Sequence, residues 1–348
     1  MIKKKAAIVF FTPGGNVLAE RIRNCFFEEF SETCWELSVA ERPVPFGRWM
    51  ERNFQTLDLL IFIGAAGIIV RGMAPFLTDK TTDPAVLVMD EKGKFIISVL
   101  SGHLGGANAY AKQLAKKLNA VPVITTASDV TGKIAIDVFA RENGLFITSM
   151  EQAKRCASEI VSESPVSFEC SGTVKGEIPP ELSSSRENAA FHVLVSPYRQ
   201  KEQKQLLHLI PKAFVLGIGC KKGTGEEQIA RRVEEELQKA GIDPRSISSA
   251  ATIDLKKEEA GLLNYCKQRA LPLHFYSAQE LMEVNGSFAA SPFVRQVTGA
   301  DNVCERAAFL ETGQNGKEAY EQRLVTRKSG KDGVTVAIMK IDWSISFE

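Results

Sequence analysis

At 348 residues, with 44% hydrophobic and 24% charged side chains, the chain is composed like a globular protein long enough for two or three domains. Its 43 basic and 42 acidic residues leave a formal net charge of +1. No global field therefore draws it to nucleic acid or to an anionic membrane surface, and any anion site must be local.

The order of elements begins with Met1-Ile-Lys-Lys-Lys5 and the apolar run Ala6–Phe11, which breaks at Thr12-Pro-Gly-Gly15. That run is too short for a leader and reads as a first buried strand, followed by a helix from about Val17 to Phe30. Leu57–Ile63 is a second apolar strand ending in Gly64-Ala-Ala-Gly67. The longest apolar stretch, Leu59–Val70, is split by Gly64 and Gly67 and is too short to cross a bilayer. Ala85–Met89 and Phe95–Leu100 flank Asp90-Glu-Lys-Gly-Lys94 as a hairpin with a five-residue loop. From His103 to Leu118, the residues Leu104, Ala107, Ala111, Leu114 and Leu118 fall on one helical face. Val121–Ile124 is a further strand, with a helix expected at about Gly132–Asn143.

Between Met150 and Lys212 the pattern degrades into Ser-, Pro- and Glu-rich loops, and only Phe191–Val195 reads clearly as a strand. A second α/β unit follows: strand Phe214–Ile218, the turn Gly219–Gly225, a helix to Ala240 capped by Gly241, and a closing hairpin of Gln322–Thr326 with Val334–Ile341. The expected fold is α/β. It comprises an N-terminal α/β domain with a mixed sheet (1–149), a small intermediate region (150–212) and a second C-terminal α/β domain (213–348). Seven cysteines, Cys25, Cys34, Cys156, Cys170, Cys220, Cys266 and Cys304, lie scattered without a C-x-x-C pair. Such a set reads as free thiols in a reducing compartment, so the protein is expected in the cytoplasm.

Three segments carry chemistry. Gly217-Ile-Gly-Cys-Lys-Lys-Gly223 lies between a strand and a helix, but its lysines precede Gly223, which a Walker loop does not allow, and its third glycine is one residue late for a dinucleotide fingerprint. What remains is a helix N-terminus beside Lys221 and Lys222, able to hold a carboxylate or phosphate. A capping box of Thr224 with Glu227 explains the same turn without a ligand. In Ser101-Gly-His-Leu-Gly-Gly-Ala-Asn108, a strand runs into a helix that starts at His103, with Gly105, Gly106 and Asn108 in its first turns. Each glycine there costs roughly 1 kcal/mol against alanine, which suggests close approach of something bulky. Of the four histidines, His103, His192, His208 and His274, only His103 has such a setting, as acid/base, donor, metal-axial contact or a merely packed side chain. Thr125-Thr-Ala-Ser-Asp129 places hydroxyls and a carboxylate at a strand end, either for a ligand or as a helix cap. Arg71 and Lys80-Thr-Thr-Asp83 add charge and hydroxyls on nearby loops. Zinc-ligand spacing is absent from the sequence.

Taken together, these segments resemble the cobalt-precorrin-5A hydrolase (CbiG) family. The resemblance is carried by Gly64-Ala-Ala-Gly67 with Ile69-Val-Arg71, Asp79-Lys-Thr-Thr-Asp-Pro84, Ser101–Asn108 and Pro122–Asp129. In the second half it is carried by Leu216–Thr224, Ile253–Lys256, Ser277–Leu281, Ser291–Val294 and Thr298–Glu305. It implies an enzyme of anaerobic cobalamin (vitamin B12) biosynthesis that opens the δ-lactone of cobalt-precorrin-5A and releases acetaldehyde, giving cobalt-precorrin-5B. The C-terminal half also resembles a stand-alone protein of the oxygen-dependent pathway. A corrin precursor is a tetrapyrrole-derived macrocycle fringed with carboxylates, so dispersed anion contacts suit it better than one phosphate cradle.

On this reading His103, Ser101 and Asp129 are the catalytic candidates, with Asp83 and Glu259 as further carboxylates that could assist His103. Gly64, Gly67, Arg71, Lys80, Gly102, Gly105, Gly106, Asn108, Thr125 and Thr126 are candidates for substrate contact in the first half. Gly219, Lys221, Lys222, Gly223 and Thr224 are those in the second. No cofactor or protein-held metal is expected, since cobalt arrives with the substrate. The expected partners are the corrinoid, a second copy of the chain and, transiently, neighbouring pathway enzymes. Two other functions are open: a non-catalytic carrier of a corrinoid intermediate, and a sugar- or nucleotide-phosphate enzyme.

Overall fold

The computed structural model describes residues 3–30, 34–43, 45–79, 82–126 and 132–347. The chain divides into two compact units, Met1–Phe139 and Ala140–Glu348.

The first unit is built on a six-stranded sheet of order β2-β1-β3-β4-β5-β6. Its strands are β1 (Lys4–Phe10), β2 (Trp35–Glu41), β3 (Leu59–Ile63), β4 (Ala85–Met89), β5 (Phe95–Leu100) and β6 (Val121–Val123). β3 and β4, Leu-Leu-Ile-Phe-Ile and Ala-Val-Leu-Val-Met, are buried at every position. Unbroken apolar runs of this kind belong to parallel strands covered on both faces. One face packs α1 (Pro13–Glu29) and α4 (Ala107–Leu118) through Leu18, Ile22, Phe26 and Leu114. The other packs α2 (Phe46–Asn53) and α3 (Ala66–Met73) through Met50, Ile69 and Met73.

β1 to β4 run parallel, β5 is antiparallel to β4, and β6 lies parallel to β5. The hairpin read from residues 85–100 is present. It reverses the sheet, so the carboxyl ends of β5 and β6 lie at the edge opposite those of β1, β3 and β4.

Two helix starts differ from the sequence reading. α1 begins at Pro13 and not near Val17, because the Thr12 side chain accepts a bond from the Gly15 amide (3.1 Å) and proline suits the first helical position. α4 begins at Ala107 and not at His103, because Gly106 sits at φ 86° and the chain before it is a tight loop. β2 and α2 escaped the sequence reading: β2 is an edge strand in which only Trp35 is buried, so its apolar signal is weak.

The second unit holds two five-stranded sheets. The first, of order β10-β8-β11-β12-β7, joins β7 (Phe146–Ile147), β8 (Val166–Cys170), β10 (Leu182–Ser183), β11 (Phe191–Val195) and β12 (Leu206–Ile210). A helix over Met150–Val161, capped by Ser149, accompanies it. The span that looked nearly strandless is thus a sheet whose short members are separated by polar loops. β9 (Thr173–Lys175) pairs with β18 (Ser344–Ser346), tying the last residues to this region.

The second sheet, of order β15-β14-β13-β17-β16, has parallel β13 (Phe214–Cys220), β14 (Ile247–Ile253) and β15 (Leu273–Tyr276). The antiparallel hairpin β16 (Leu324–Lys331) and β17 (Val334–Lys340) completes it. The crossover helix Glu226–Lys239 buries Ile229, Val233 and Leu237 as their spacing requires, and Gly241 follows it at φ +67°. The helix Val303–Glu311 covers the opposite face. It lies so close that a Cβ on Gly217 would fall 1.7 Å from the Cys304 carbonyl oxygen. Among the described residues no helix is long and apolar enough to cross a membrane.

Candidate functional site

Residues 101–106 leave β5 and fold back onto the first turn of α4. The Ala107 amide donates to the Ser101 carbonyl (3.2 Å) and the Asn108 amide to that of Gly102 (3.0 Å). This packing explains the glycines. A Cβ on Gly105 would meet Ser101 Cβ at 2.5 Å and its carbonyl oxygen at 2.8 Å, and one on Gly102 would meet Asn108 Oδ1 at 2.7 Å. The close approach expected from the sequence is therefore that of the chain to itself.

Ser101 holds φ 53°, an uncommon conformation for a non-glycine residue, and its hydroxyl donates to the Asp83 carbonyl at 2.9 Å. Asp83 in turn accepts from the Thr78 amide (3.1 Å), the Thr78 hydroxyl (2.8 Å) and the Gln55 amide (3.2 Å). Burial acts to raise the pKa of Asp83, but these hydrogen bonds outweigh it and hold the carboxyl below its ordinary value. Its carboxylate thus braces the loop that carries Ser101.

His103 finds a partner that sequence reasoning missed. Its Nδ1 lies 3.2 Å from Asp137 Oδ1, with the two side chains 17% and 13% exposed. Asp137 stands in the first turn of the helix Ile136–Glu142. An ionised carboxylate on Nδ1 keeps the proton on that nitrogen and leaves Nε2 as the basic one. The only sequence signal for Asp137 was an acidic residue in the first turn of an expected helix, which is usual for dipole reasons alone.

Asn108 is 5% exposed, and its amide donates to Thr126 Oγ1 at 3.0 Å. The Thr126 hydroxyl proton has no acceptor among the described residues, nor has the Gly102 N–H. Ser101, Gly102, His103, Asn108, Thr126 and Asp137 thus form one cluster at the carboxyl edge of β5 and β6, with exposed Thr125 beside it.

Other candidates lie elsewhere. Gly64, whose amide donates to the Met89 carbonyl, and Gly67 are at the opposite edge of the sheet, about 16 Å away for a five-residue strand at roughly 3.3 Å per residue. Arg71, exposed in the last turn of α3, reaches back toward the Gly67 carbonyl (3.4 Å). Lys80 and Asp129 lie outside the described residues. The remaining histidines are engaged in the second unit: His192 with Ser167 (2.6 Å), His208 with the Ser196 carbonyl (2.8 Å) and His274 with Glu311 (2.6 Å).

In the second unit a cavity of about 670 Å³ opens at the carboxyl ends of β13 and β14, and Gly219, Lys221 and Lys222 line it. The β16–β17 turn closes one side, with the Lys221 amide donating to the Gly333 carbonyl (2.9 Å). Gly223 and Thr224 shape the loop instead of lining the cavity. The Gly223 amide donates to Glu259 (2.6 Å), and the Thr224 hydroxyl to the Lys221 carbonyl (2.8 Å). The capping box is not formed, because Gly225 occupies the cap position. Glu259 is engaged in this loop: hydrogen bonds from Lys256 and from the Gly223 amide hold its carboxyl below the ordinary range.

Comparison with known proteins matches the chain in three regions. Residues 48–129 match the family described as "Cobalamin synthesis G N-terminal", 134–211 match "Cobalamin biosynthesis central region" and 214–339 match "Cobalamin synthesis G C-terminus". The chain is 34% identical over 307 residues to a protein of Priestia megaterium named cobalt-precorrin-5A hydrolase, covering 83% of this chain and 80% of that one. It is 33% identical over 340 residues to a Salmonella typhimurium protein of the same name, covering 92% and 95%. Over 103 residues it is 34% identical to "Protein CobE" of Sinorhizobium sp, which is 29% of this chain and 66% of that one. With all three regions matched in order and full-length relatives above 30% identity, the chain belongs to the cobalt-precorrin-5A hydrolase family.

Proposed function

We propose that the chain hydrolyses cobalt-precorrin-5A, opening its δ-lactone and releasing acetaldehyde to give cobalt-precorrin-5B, with His103 as acid and base. Membership of the hydrolase family supports the activity, and the His103–Asp137 pair supports the assignment. Ester hydrolysis needs a base for water, donors at the carbonyl oxygen as charge develops, and an acid for the leaving alkoxide. His103 Nε2 takes a proton from water as the water oxygen bonds to the lactone carbonyl carbon. Asp137 stabilises the imidazolium so formed. The Gly102 amide and the Thr126 hydroxyl, both without acceptors among the described residues, donate to the oxyanion. When the acyl C–O bond breaks, the imidazolium returns its proton to the alkoxide; loss of the hydroxyl proton from the alcohol so freed then forms the aldehyde C=O as the C–C bond to the macrocycle breaks, and the macrocycle takes the electron pair and a proton while acetaldehyde leaves.

Cobalt enters as part of the substrate, and the enzyme works in the cytosol, where its seven unpaired cysteines stay reduced.

The test is an aldehyde-trapping assay with cobalt-precorrin-5A. His103→Ala should lower acetaldehyde release by about 10²- to 10⁴-fold, the usual worth of a general acid or base. Asp137→Asn should lower the rate and move the acidic limb of the pH profile to lower pH, because an imidazole without its carboxylate partner loses its proton more readily. Full turnover by His103→Ala would remove His103 from the mechanism. Tight substrate binding with no aldehyde from the wild type would make the protein a carrier.

A further inference from the structure

Another cavity of the second unit, of about 410 Å³, shares no lining residue with the one at the carboxyl ends of β13 and β14. It lies at the start of the helix Met150–Val161, beside β12 and the segment 200–204 that precedes it. Leu206 is the single apolar side chain of its lining. Two polar side chains there have hydrogen-bonding capacity left unused. His208 is 6% exposed, and its Nε2 lies 2.8 Å from the Ser196 carbonyl oxygen. A carbonyl only accepts, so Nε2 carries the proton, and burial holds the ring's pKa below its ordinary value and keeps it neutral. Nδ1 is then an acceptor with no donor among the described residues. Gln152 Oε1 is sealed from solvent and likewise has no donor among them. Such orphans are rare in native interiors, since each group has lost water with no bond in return. Two in one cavity point to an occupant that donates to both.

The charges around them come in both signs. Glu151, Glu202, Lys201 and Lys204 line the cavity, and none is in an ion pair among the described residues, whereas Arg245 is held by Asp243 (2.9 and 2.8 Å). At the helix start the Gln152 amide goes to the Ser149 hydroxyl and the Ala153 amide to the Ser149 carbonyl. The amides of Met150 and Glu151 have no acceptor among the described residues. We infer that this cavity binds a free α-amino acid as its zwitterion. The ammonium donates to His208 Nδ1 and the Gln152 amide oxygen, and the carboxylate sits at the helix start beside Lys201 and Lys204. Glutamine's terminal torsion is soft, so its oxygen turns readily to the ammonium. A plain anion would meet Glu151, Glu202 and an imidazole with no proton on Nδ1. A nucleoside would find no aromatic or apolar face, because Leu206 stands alone. A neutral sugar would leave the helix start and the lysines without a counter-charge.

The probes are the twenty L-amino acids, titrated one at a time by calorimetry into the full-length chain. At least one is expected to bind saturably and to shift the Nδ1 resonance of His208 in 15N-histidine-labelled protein. Its trimethylammonium betaine keeps the charge but has no N–H, and should bind about tenfold more weakly or worse, the usual effect of losing a hydrogen bond to a charged group. Gln152→Leu should weaken binding by about as much while its denaturant midpoint equals or exceeds that of the wild type, because leucine removes a buried oxygen that the ligand-free protein leaves unsatisfied. A merely structural glutamine would lower the midpoint instead. K201E/K204E, at exposed positions, should weaken binding several-fold, and it decides the matter if Gln152→Leu does not fold. Saturation by none of the twenty, equal binding of the betaine or of glucose, undiminished binding in either variant, or a midpoint of Gln152→Leu well below wild type overturns the inference.

Discussion

A histidine becomes a catalyst through what touches its second nitrogen, and for His103 that contact comes from another element of the fold. Ser101, Gly102 and Asn108 were legible as a group because they share a motif, whereas Asp137 was not, since nothing local distinguishes it from an ordinary helix-start acid. Asp83 shows the reverse: a carboxylate beside the motif that serves the scaffold. Because its pKa in the folded protein is depressed below the ordinary 3.8, its contribution is fully present above that value and lost as pH falls through the folded one. Wild-type stability should therefore drop on acidification below about pH 4, and Asp83→Asn should be less stable at neutral pH with a flatter acid limb. Chemical denaturation between pH 3 and 7 measures both, and parallel curves for the two proteins would show that the Asp83 hydrogen bonds contribute nothing.

Among the elements, β3 and β4 were readable because they are buried on both faces, and an unbroken apolar run has one stable setting. Helix starts were less so. Glycines in Ser101–Asn108 look like flaws in a helix until the loop is seen to fold back on α4, where a Cβ at Gly105 would strike the Ser101 carbonyl. Gly217 is the same device in the second unit. Gly217→Ala drives a methyl against the Cys304 carbonyl, and neither backbone can move without opening the helix–sheet packing. We expect a loss of about 3 kcal/mol, the upper end for overpacking, read as a lower denaturant midpoint. Gly223→Ala should show no such clash, although its φ of +78° still opposes a side chain. Equal midpoints for wild type and Gly217→Ala would contradict the packing described.

Over the whole molecule, the cysteines report burial without reference to a ligand. Cys34 is exposed, whereas Cys156, Cys266 and Cys304 are buried, and burial pushes their thiols up to about 12, 11 and 12. The thiolate is the reactive form. A thiol reagent at neutral pH should modify Cys34 first and leave Cys156, Cys266 and Cys304 untouched until denaturant is added. Mass spectrometry of the labelled peptides checks the order, and native labelling of Cys304 would refute the packing of its helix on β13.

Composition, apolar periodicity and glycine placement by themselves settled the α/β class and the two outer α/β regions, because both follow from a chain's need to bury apolar faces and to turn between them, whereas the family was legible through the resemblance of its motifs. The direction of β5 was legible as a hairpin, but its consequence was not. Reversing one strand sends the Gly64 loop and the Ser101 loop to opposite edges of one sheet, and no local pattern encodes which edge a loop occupies. The pairing of His103 with Asp137, and the meeting of Gln152 with His208 at one cavity, came only from tertiary structure. Side chains far apart in sequence share a site only once the sheet has fixed where each strand ends.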